Sequence, residues 1–204
     1  FTDKIKPTKL GTKINIDEQM VRTKHKEFVW SWNAIDNKTR FLIANNVTKE
    51  KYVEDAKEIF QKIKDVKGTD EQITLVTDAM KSYPHAIGQV FHKINDWRAG
   101  QKAVRHIANA GINQVHKNNN MVERYHNDFR EFDKVRRGFD NVKQFNEGFR
   151  LYHNFIKENS VLGMTPSEKA GINLDLGNNR WLGLLKKSLL NSDDMSGKST
   201  NATN

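Results

Sequence analysis

Three acidic residues of this chain lie in local settings that could bring their side chains to one point. Asp17 follows the alternating segment 13–16, and Asp78 directly follows the apolar run 73–77. Glu123 lies near the start of a strongly helical stretch. Three carboxylates held close together repel one another, and a hard divalent cation that takes oxygen ligands, such as Mg²⁺, relieves this repulsion. The three residues therefore predict a metal site.

Two such ions, roughly 3.5–4 Å apart, form the clamp used for in-line displacement at phosphorus. We therefore expect Asp17, Asp78 and Glu123 to hold two Mg²⁺ or Mn²⁺ ions and to support metal-dependent phosphodiester chemistry. A lone aspartate at a strand end is more often a cap, turn or salt-bridge residue. Here the local settings of all three acidic residues are consistent with one shared site. Glu18 is adjacent to Asp17 and should point to the opposite face of a strand, so we expect it outside the site.

The charge of the chain favours an anionic partner. It carries 34 basic and 25 acidic residues, a formal net charge of +9. Residues 92–150 alone hold 12 lysines and arginines against 7 acidic residues, and the excess surrounds Glu123. DNA, RNA and an acidic membrane are all compatible with this charge, and a solvated helical face is the plain alternative.

The sequence excludes sites built on cysteine and shows no segment that could span a membrane. The chain has no cysteine, which excludes disulfides and thiolate metal sites. No apolar run approaches the ~20 residues that span a bilayer, so we expect no membrane partner. The first residue is Phe1 rather than Met, from which we expect that an upstream segment is missing.

The spacing of apolar residues predicts a mixed α/β domain. The expected strands cover residues 12–22, 27–35, 39–45 and 72–77, with a fifth candidate at 103–108. The expected helices cover residues 49–67 (with Thr48 as N-cap), a short segment after Pro84, 119–134 and 141–157. Residues 118–120 should supply the N-cap of the helix that carries Glu123. A central first strand would place Asp17 beside the end of the strand leading to Asp78, as in a ribonuclease H-like five-stranded sheet flanked by helices.

We divide the chain into three parts. Residues 1–172 form the expected ribonuclease H-like catalytic domain, and residues 173–190 an amphipathic C-terminal helix that includes Trp181 and Leu185. Residues 191–204 are rich in Ser, Asn, Asp, Gly and Thr, which predicts a disordered tail.

Short segments spread over most of the chain resemble DDE transposases of insertion sequences, in the retroviral-integrase superfamily. They are Ile16-Asp17-Glu18, Ala34-Ile35-Asp36, Thr77-Asp78-Ala79, Ser82-Tyr83-Pro84-His85, Asn119-Asn120-Met121-Val122-Glu123-Arg124, Tyr152-His153-Asn154-Phe155-Ile156 and Thr165-Pro166-Ser167-Glu168. Each segment alone is common, but in this order they are specific. The spacing from Asp78 to Glu123 is longer than in the nearest transposase groups, and residues 91–102 are interpreted as an insertion.

The resemblance implies that Asp17, Asp78 and Glu123 are the catalytic and metal-binding triad. It also implies a missing N-terminal DNA-recognition segment, a homodimer or larger synaptic assembly on DNA, and a prokaryotic, cytoplasmic, nucleoid-associated protein. His126, three residues after Glu123, could contact the scissile phosphate or orient a ligand, or could be an exposed helix histidine. A possible DNA track comprises Arg124, Arg130, Lys134, Arg136 and Arg137, each of which could instead be solvated surface.

The leading hypothesis is a DNA transposase catalytic domain that cuts element ends and then joins the freed 3′ ends to target DNA. A ribonuclease H-type nuclease or resolvase would share the metal chemistry without strand transfer. A domesticated DNA-binding protein would keep the fold without turnover. The segments 152–156 and 165–172 argue against the nuclease, and the three intact acidic positions argue against the non-catalytic protein.

Overall fold

A computed structural model of the chain describes residues 5–68, 71–91, 104–108 and 119–196, with residues 191–196 described by their backbone alone. The strands are β1 (Lys13–Arg22), β2 (Phe28–Asp36), β3 (Leu42–Thr48), β4 (Ile73–Thr77) and β5 (Val104–Ala108). The helices are α1 (Val53–Lys67), α2 (Ser82–Phe91), α3 (Asn120–Arg136), α4 (Val142–Leu151), α5 (Pro166–Lys169) and α6 (Arg180–Ser196). Within these residues, no helix is both long and apolar enough to cross a membrane.

The five strands form one mixed sheet in the order β3-β2-β1-β4-β5. Strands β1, β2 and β3 are antiparallel neighbours, whereas β4 pairs in parallel with β1 and with β5. The first strand is therefore central, as expected. This confirms the ribonuclease H-like fold, a five-stranded mixed sheet with flanking helices.

Two apolar cores cover the two faces of the sheet. Ile14, Ile16 and Trp32 pack with residues of α1 and α2 on one face. Val21 and Ile35 pack with aromatic residues of α3 and α4 on the other. Because side chains alternate along a strand, Asp17 faces α3 while its neighbours on β1 face α1 and α2.

Several element boundaries differ from the sequence-based expectation. Helix α1 begins at Val53 rather than at residue 49, and the carboxylate of Asp55 accepts a hydrogen bond of 2.9 Å from the N–H of Tyr52. Thr48 is not the N-cap. It ends β3, and its hydroxyl accepts a hydrogen bond of 2.7 Å from the indole N–H of Trp32. Strand β3 begins at Leu42, three residues later than expected, because the turn after β2 extends to residue 41.

The C-terminal part also differs. The last helix begins at Arg180 and continues to Ser196, beyond the expected boundary at residue 191. Residues 197–204 of the expected tail, and 92–102 of the interpreted insertion, lie outside the described residues. The disorder of the tail and the insertion therefore stay predictions.

The segment 141–157, expected to be a single helix, is not α-helical throughout. After α4 the chain makes a π-helical turn at Tyr152–Ile156. The amide of Asn154 pairs with both main-chain groups of Leu42, accepting from its N–H at 2.8 Å and donating to its oxygen at 3.0 Å. The register of β2 and β3 shifts beside this point, between Ala34 and Ile35. The π-helical turn therefore aims a side chain at an irregular position of the sheet.

Candidate metal centre

Asp17 and Asp78 are positioned by the two central strands. The parallel pairing of β1 with β4 ends at Asn15 and Val76, so β1 continues past the end of β4. Asp17 lies on this continuing part of β1, and Asp78 is the first residue after β4. The two predicted residues therefore meet at the same edge of the parallel pair, where β4 no longer covers the flank of β1.

Three carboxylates converge at this edge. Asp17, Glu18 and Asp78 can each offer one oxygen such that all three oxygens lie within 4.8 Å of one another. All the donor atoms are carboxylate oxygens, the ligands that Mg²⁺ and Mn²⁺ prefer. The structure thus brings together two predicted residues and one that we expected to lie outside the site.

Glu123 lies in the first turn of α3, exposed to solvent. It is not part of the 4.8 Å group of described residues, but it is near enough for its charge to raise the pKa of Asp17. Glutamate has one more methylene than aspartate, which gives its carboxylate a longer reach from the helix.

Glu18 does face the side of the sheet opposite to Asp17, as expected. Its Oε2 accepts a hydrogen bond of 2.6 Å from the hydroxyl of Tyr83, and its Oε1 lies 3.0 Å from Nζ of Lys51. The side chain is only 5% exposed, so both oxygens are held by these two partners. Its proximity to Asp17 and Asp78 follows from the open flank beyond β4, which sequence periodicity does not reveal.

The charge on Asp17 is unfavourable in this setting. Burial, with the neighbouring charges of Glu18, Asp78 and Glu123, raises the pKa of Asp17 from 3.8 to about 7. A hydrogen bond from the main chain of Glu18 opposes this shift only in part. Since a cation would favour the ionised form, the raised pKa marks a place where positive charge is needed.

His126 is buried beneath the site, with only 2% of its surface exposed. Its Nδ1 lies 3.8 Å from Oδ2 of Asp17, and its Nε2 lies 3.1 Å from the side-chain nitrogen of Asn33. Burial, together with the charge of Arg130, lowers the pKa of His126 to about 3, so the ring is neutral and forms no salt bridge with Asp17. As Asn33 donates to Nε2, the proton lies on Nδ1, which faces Asp17.

Two expectations for His126 are therefore corrected. It is not an exposed helix histidine, and the buried ring has no surface with which to contact DNA. The sequence shows only its spacing from Glu123, whereas burial depends on how α3 packs on β2. Its position beside Asp17 is compatible with the remaining expectation, that it orients a ligand.

Asn119 connects the helix of Glu123 to the strand of Asp17. We expected residues 118–120 to cap α3, and Asn119 is the residue at the N-cap position, but its side chain accepts no hydrogen bond there. Instead the amide donates to the main-chain oxygen of Ile16 at 2.8 Å and accepts from the side chain of Asn15 at 3.1 Å. The expectation of a side-chain cap was wrong for Asn119, because its hydrogen-bonding groups are used across the interface.

Asp78 has its own supports. Its Oδ1 accepts a hydrogen bond of 3.0 Å from the N–H of Met80. The hydroxyl of Thr77 donates to the main-chain oxygen of Asp78 at 2.7 Å and lies 2.9 Å from Nε2 of His106 on β5. Since the hydroxyl has a single proton, His106 must donate to it. This contact was not foreseen, because it joins two strands that are far apart in sequence.

The remaining candidates for a DNA track lie on the surface of α3 and just beyond it. They are Arg124, Arg130, Lys134, Arg136 and Arg137, all exposed. Lys134 pairs with Glu131 at 2.5 Å, and the guanidinium of Arg136 lies 5.3 Å from the ring centre of Phe145. Their contact with DNA stays a prediction.

The part of the chain that carries the site matches a known protein family. A model of the DDE domain family matches residues 11–159, which include Asp17, Asp78 and Glu123. No curated protein matches the chain.

Solved structures share the fold. A chain of the simian T-cell lymphotropic virus intasome in complex with PP2A regulatory subunit B56 gamma superposes with a TM-score of 0.59 at 11% identity, covering 81% of this chain and 56% of that one. This chain therefore spans little more than half of that protein's length. The catalytic core domain of BIV integrase gives a TM-score of 0.53 at 15% identity, covering 77% of this chain and 91% of that one.

A third similar structure is the HTLV-2 integrase catalytic core domain in complex with magnesium, in its trimeric form. It gives a TM-score of 0.54 at 11% identity, covering 81% of this chain and 98% of that one. At these identities the likeness shows the fold, an integrase-type core.

Proposed function

Because this chain belongs to the DDE domain family of insertion-sequence transposases, we propose that it is the catalytic domain of a DNA transposase. It cuts phosphodiester bonds at the ends of a mobile element and then joins the freed 3′ ends to target DNA. The observation that carries this proposal is the convergence of Asp17 and Asp78, within the matched segment, at an open edge of the sheet.

The residues fit a divalent metal. The carboxylates of Asp17 and Asp78 would hold Mg²⁺ or Mn²⁺ with Glu123 as the third ligand, and the raised pKa of Asp17 is the expected signature of a site that a cation completes. Two ions, when bound, would supply activation of the attacking oxygen and stabilisation of the departing one. Glu18 is a neighbour of this set rather than a member, because Tyr83 and Lys51 occupy its oxygens.

The protein's own residues set the geometry of the reaction. Asn119 holds the start of α3 against β1, and so keeps Glu123 at a fixed distance from Asp17. His126 presents a neutral N–H toward Asp17 from the buried side, and Thr77 and Met80 restrain Asp78. A rigid arrangement of ligands matters because small misplacement of reacting groups costs large factors in rate.

The partner we propose is DNA, both the element ends and the target. Its backbone would lie along the basic surface of α3, and two ends would be held by a homodimer or larger synaptic assembly. The HTLV-2 core was solved in dimeric and trimeric forms, which supports assembly as a property of this fold. We place the protein in the cytoplasm of a prokaryote, associated with the nucleoid.

The test combines purified protein, Mg²⁺ or Mn²⁺, and labelled DNA carrying the element ends. We expect metal-dependent cutting and joining by the wild type and by the control Asp65→Asn, which alters an exposed aspartate on α1. Asp78→Asn should bind the same DNA but neither cut nor join it.

Other outcomes would contradict the proposal in recognisable ways. Cutting without joining would indicate the nuclease or resolvase. Binding that does not depend on metal, with no cutting, would indicate the domesticated DNA-binding protein. Equal activity of wild type and Asp78→Asn would remove Asp78 from the metal centre.

A further inference from the structure

A cavity of about 250 Å³ lies between the start of α3, the π-helical turn and the turn that joins β2 to β3. Two arginines line it, Arg40 from the β2–β3 turn and Arg124 from α3. This volume is far above the roughly 10–15 Å³ of cavity space that one water needs. It can therefore hold a phosphate group together with part of its hydration shell.

Arg40 occupies this position at an energetic cost. Its φ is 63°, in the left-handed region that residues other than glycine rarely adopt. Its Nη1 is buried and has no hydrogen-bond partner among the described residues. Backbone strain and an unpaired buried donor are both unfavourable, and strained residues cluster at functional sites.

The surrounding structure holds the backbone of Arg40 in place. Its N–H donates to the main-chain oxygen of Asp36 at 2.9 Å, and its own oxygen accepts a hydrogen bond of 2.8 Å from Nε2 of His153 in the π-helical turn. The carboxylate of Asp36 accepts from the main chains of Gly11 and Thr39 and from the hydroxyl of Thr39. Asp36 therefore buttresses the turn and makes no hydrogen bond with the guanidinium.

Positive charge in the cavity is balanced only in part. Burial and then the charge of Arg124 lower the pKa of Arg40, and the charge of Asp36 opposes this shift. The two guanidinium groups therefore still repel each other. Asp128 also lines the cavity, but it pairs with Lys157 at 2.6 Å. Burial lowers the pKa of His153 to about 4, so that ring is neutral. An anion between the arginines would relieve the repulsion between the two guanidinium groups.

We propose that Arg40 and Arg124 form a clamp that binds one phosphate group of the DNA backbone next to the metal centre. The planar fork of a guanidinium matches phosphate oxygens in a bidentate manner, which favours phosphate over a simple halide. Arg124 directly follows Glu123 on α3, so a phosphate held here would lie within about one helical turn of the backbone that carries Glu123. That the phosphate belongs to DNA rests on the proposed function. The same chemistry would accept free phosphate.

Three variants test the clamp by DNA-binding titrations at several salt concentrations, without any need for turnover. Arg40→Gly removes the guanidinium and suits the left-handed backbone, so its thermal stability should equal or exceed that of the wild type. Its affinity for duplex DNA should fall about tenfold, and the salt dependence should decrease by about one phosphate contact. Arg124→Met should behave alike, and the double variant should lose little more, because both residues bind one phosphate.

Lys38→Met is the matched control, since it removes one positive charge from an exposed position in the same turn. It should leave DNA affinity nearly unchanged. An equal loss in Lys38→Met, or wild-type affinity in Arg40→Gly, would overturn the clamp. Additive losses in the double variant would mean that the two arginines do not share a phosphate.

Inorganic phosphate alone, followed by ³¹P NMR, separates the two sources of the ligand. Weak binding to the wild type that is lost in Arg40→Gly, together with the loss of DNA affinity, supports the clamp. Phosphate binding with unchanged DNA affinity in that variant would assign the cavity to free phosphate and overturn the proposal. If the wild type shows no metal-dependent cutting but the binding results hold, the proposed function fails and the clamp stands.

Discussion

The side-chain amide of Asn119 donates a hydrogen bond of 2.8 Å to the main-chain oxygen of Ile16, the residue before Asp17. Its oxygen accepts a second hydrogen bond of 3.1 Å from the side chain of Asn15. Asn119 is 6% exposed, so water cannot replace either contact. One buried amide therefore joins the strand of Asp17 to the helix of Glu123.

Asn119→Ala should lower both stability and activity. The change removes the donor to the main-chain oxygen of Ile16 and one of the hydrogen bonds of the Asn15 side chain, which should cost about 2–4 kcal/mol of unfolding free energy. Loss of the tether should lower metal-dependent cutting about 10–100-fold, because α3 then holds Glu123 less firmly. Asn120→Ala, at the exposed next position, is the control for urea unfolding. Equal behaviour of the two variants would contradict the tether.

The pKa of Asp17 makes the metal-free protein sensitive to pH. Because the folded state binds this proton more tightly than the unfolded chain, stability from this group is present below pH 3.8 and is lost as pH rises through about 7. Asp17→Asn should therefore raise the unfolding free energy at pH 8, by at most about 4 kcal/mol, and have little effect near pH 4. Thermal or urea unfolding in a metal chelator at both pH values measures this difference.

Mg²⁺ should reverse the order of stability of the wild type and Asp17→Asn at pH 8. At pH 8 the cation should stabilise the wild type, because it binds the ionised carboxylates of the folded state alone. Asp17→Asn should gain little, whereas the control Asp65→Asn should gain as much as the wild type. A Mg²⁺ response in Asp17→Asn equal to that of the wild type would exclude Asp17 as a ligand.

Glu18→Gln distinguishes a neighbour of the metal centre from a ligand. The amide can still accept from Tyr83, so the fold should persist, while loss of the charge should lower the pKa of Asp17. The fall in stability between pH 4 and 8 should then be smaller than in the wild type. Mg²⁺-dependent cutting should survive, whereas Asp78→Asn should abolish it. If both variants were inactive, Glu18 would have to be counted among the ligands.

Asn154→Ala should destabilise the protein through β3. The side chain of Asn154 is fully buried and satisfies both main-chain groups of Leu42 beside the shift in strand register. Leaving both groups unpaired should cost about 2–4 kcal/mol. Ser160→Ala, at an exposed position of the turn that follows, is the comparison for chemical unfolding. Equal losses in the two variants would show that the pairing with Leu42 contributes little.

Much of the fold follows from local sequence patterns. The alternation of Phe28, Trp30 and Trp32 predicts β2, and the apolar spacing of Ile59, Phe60 and Ile63 predicts α1, because strand and helix periods differ. The ends of elements were less predictable. Helix α1 begins four residues later than expected, at Val53, since Thr48 bonds with Trp32 across the sheet. Turn residues alone do not reveal such a cross-strand bond.

The sequence by itself determined an α/β domain of the DDE family, with two aspartates placed by neighbouring strands and no thiolate chemistry. Only the tertiary structure decided that Glu18 approaches Asp17 and Asp78, and that His126 is buried. The same holds for the position of Arg40 and Arg124 in one cavity. The physical reason is the separation along the chain of the residues involved. Periodicity reports which face of an element is apolar, whereas these distances join residues up to about a hundred positions apart and depend on how helices pack on the sheet.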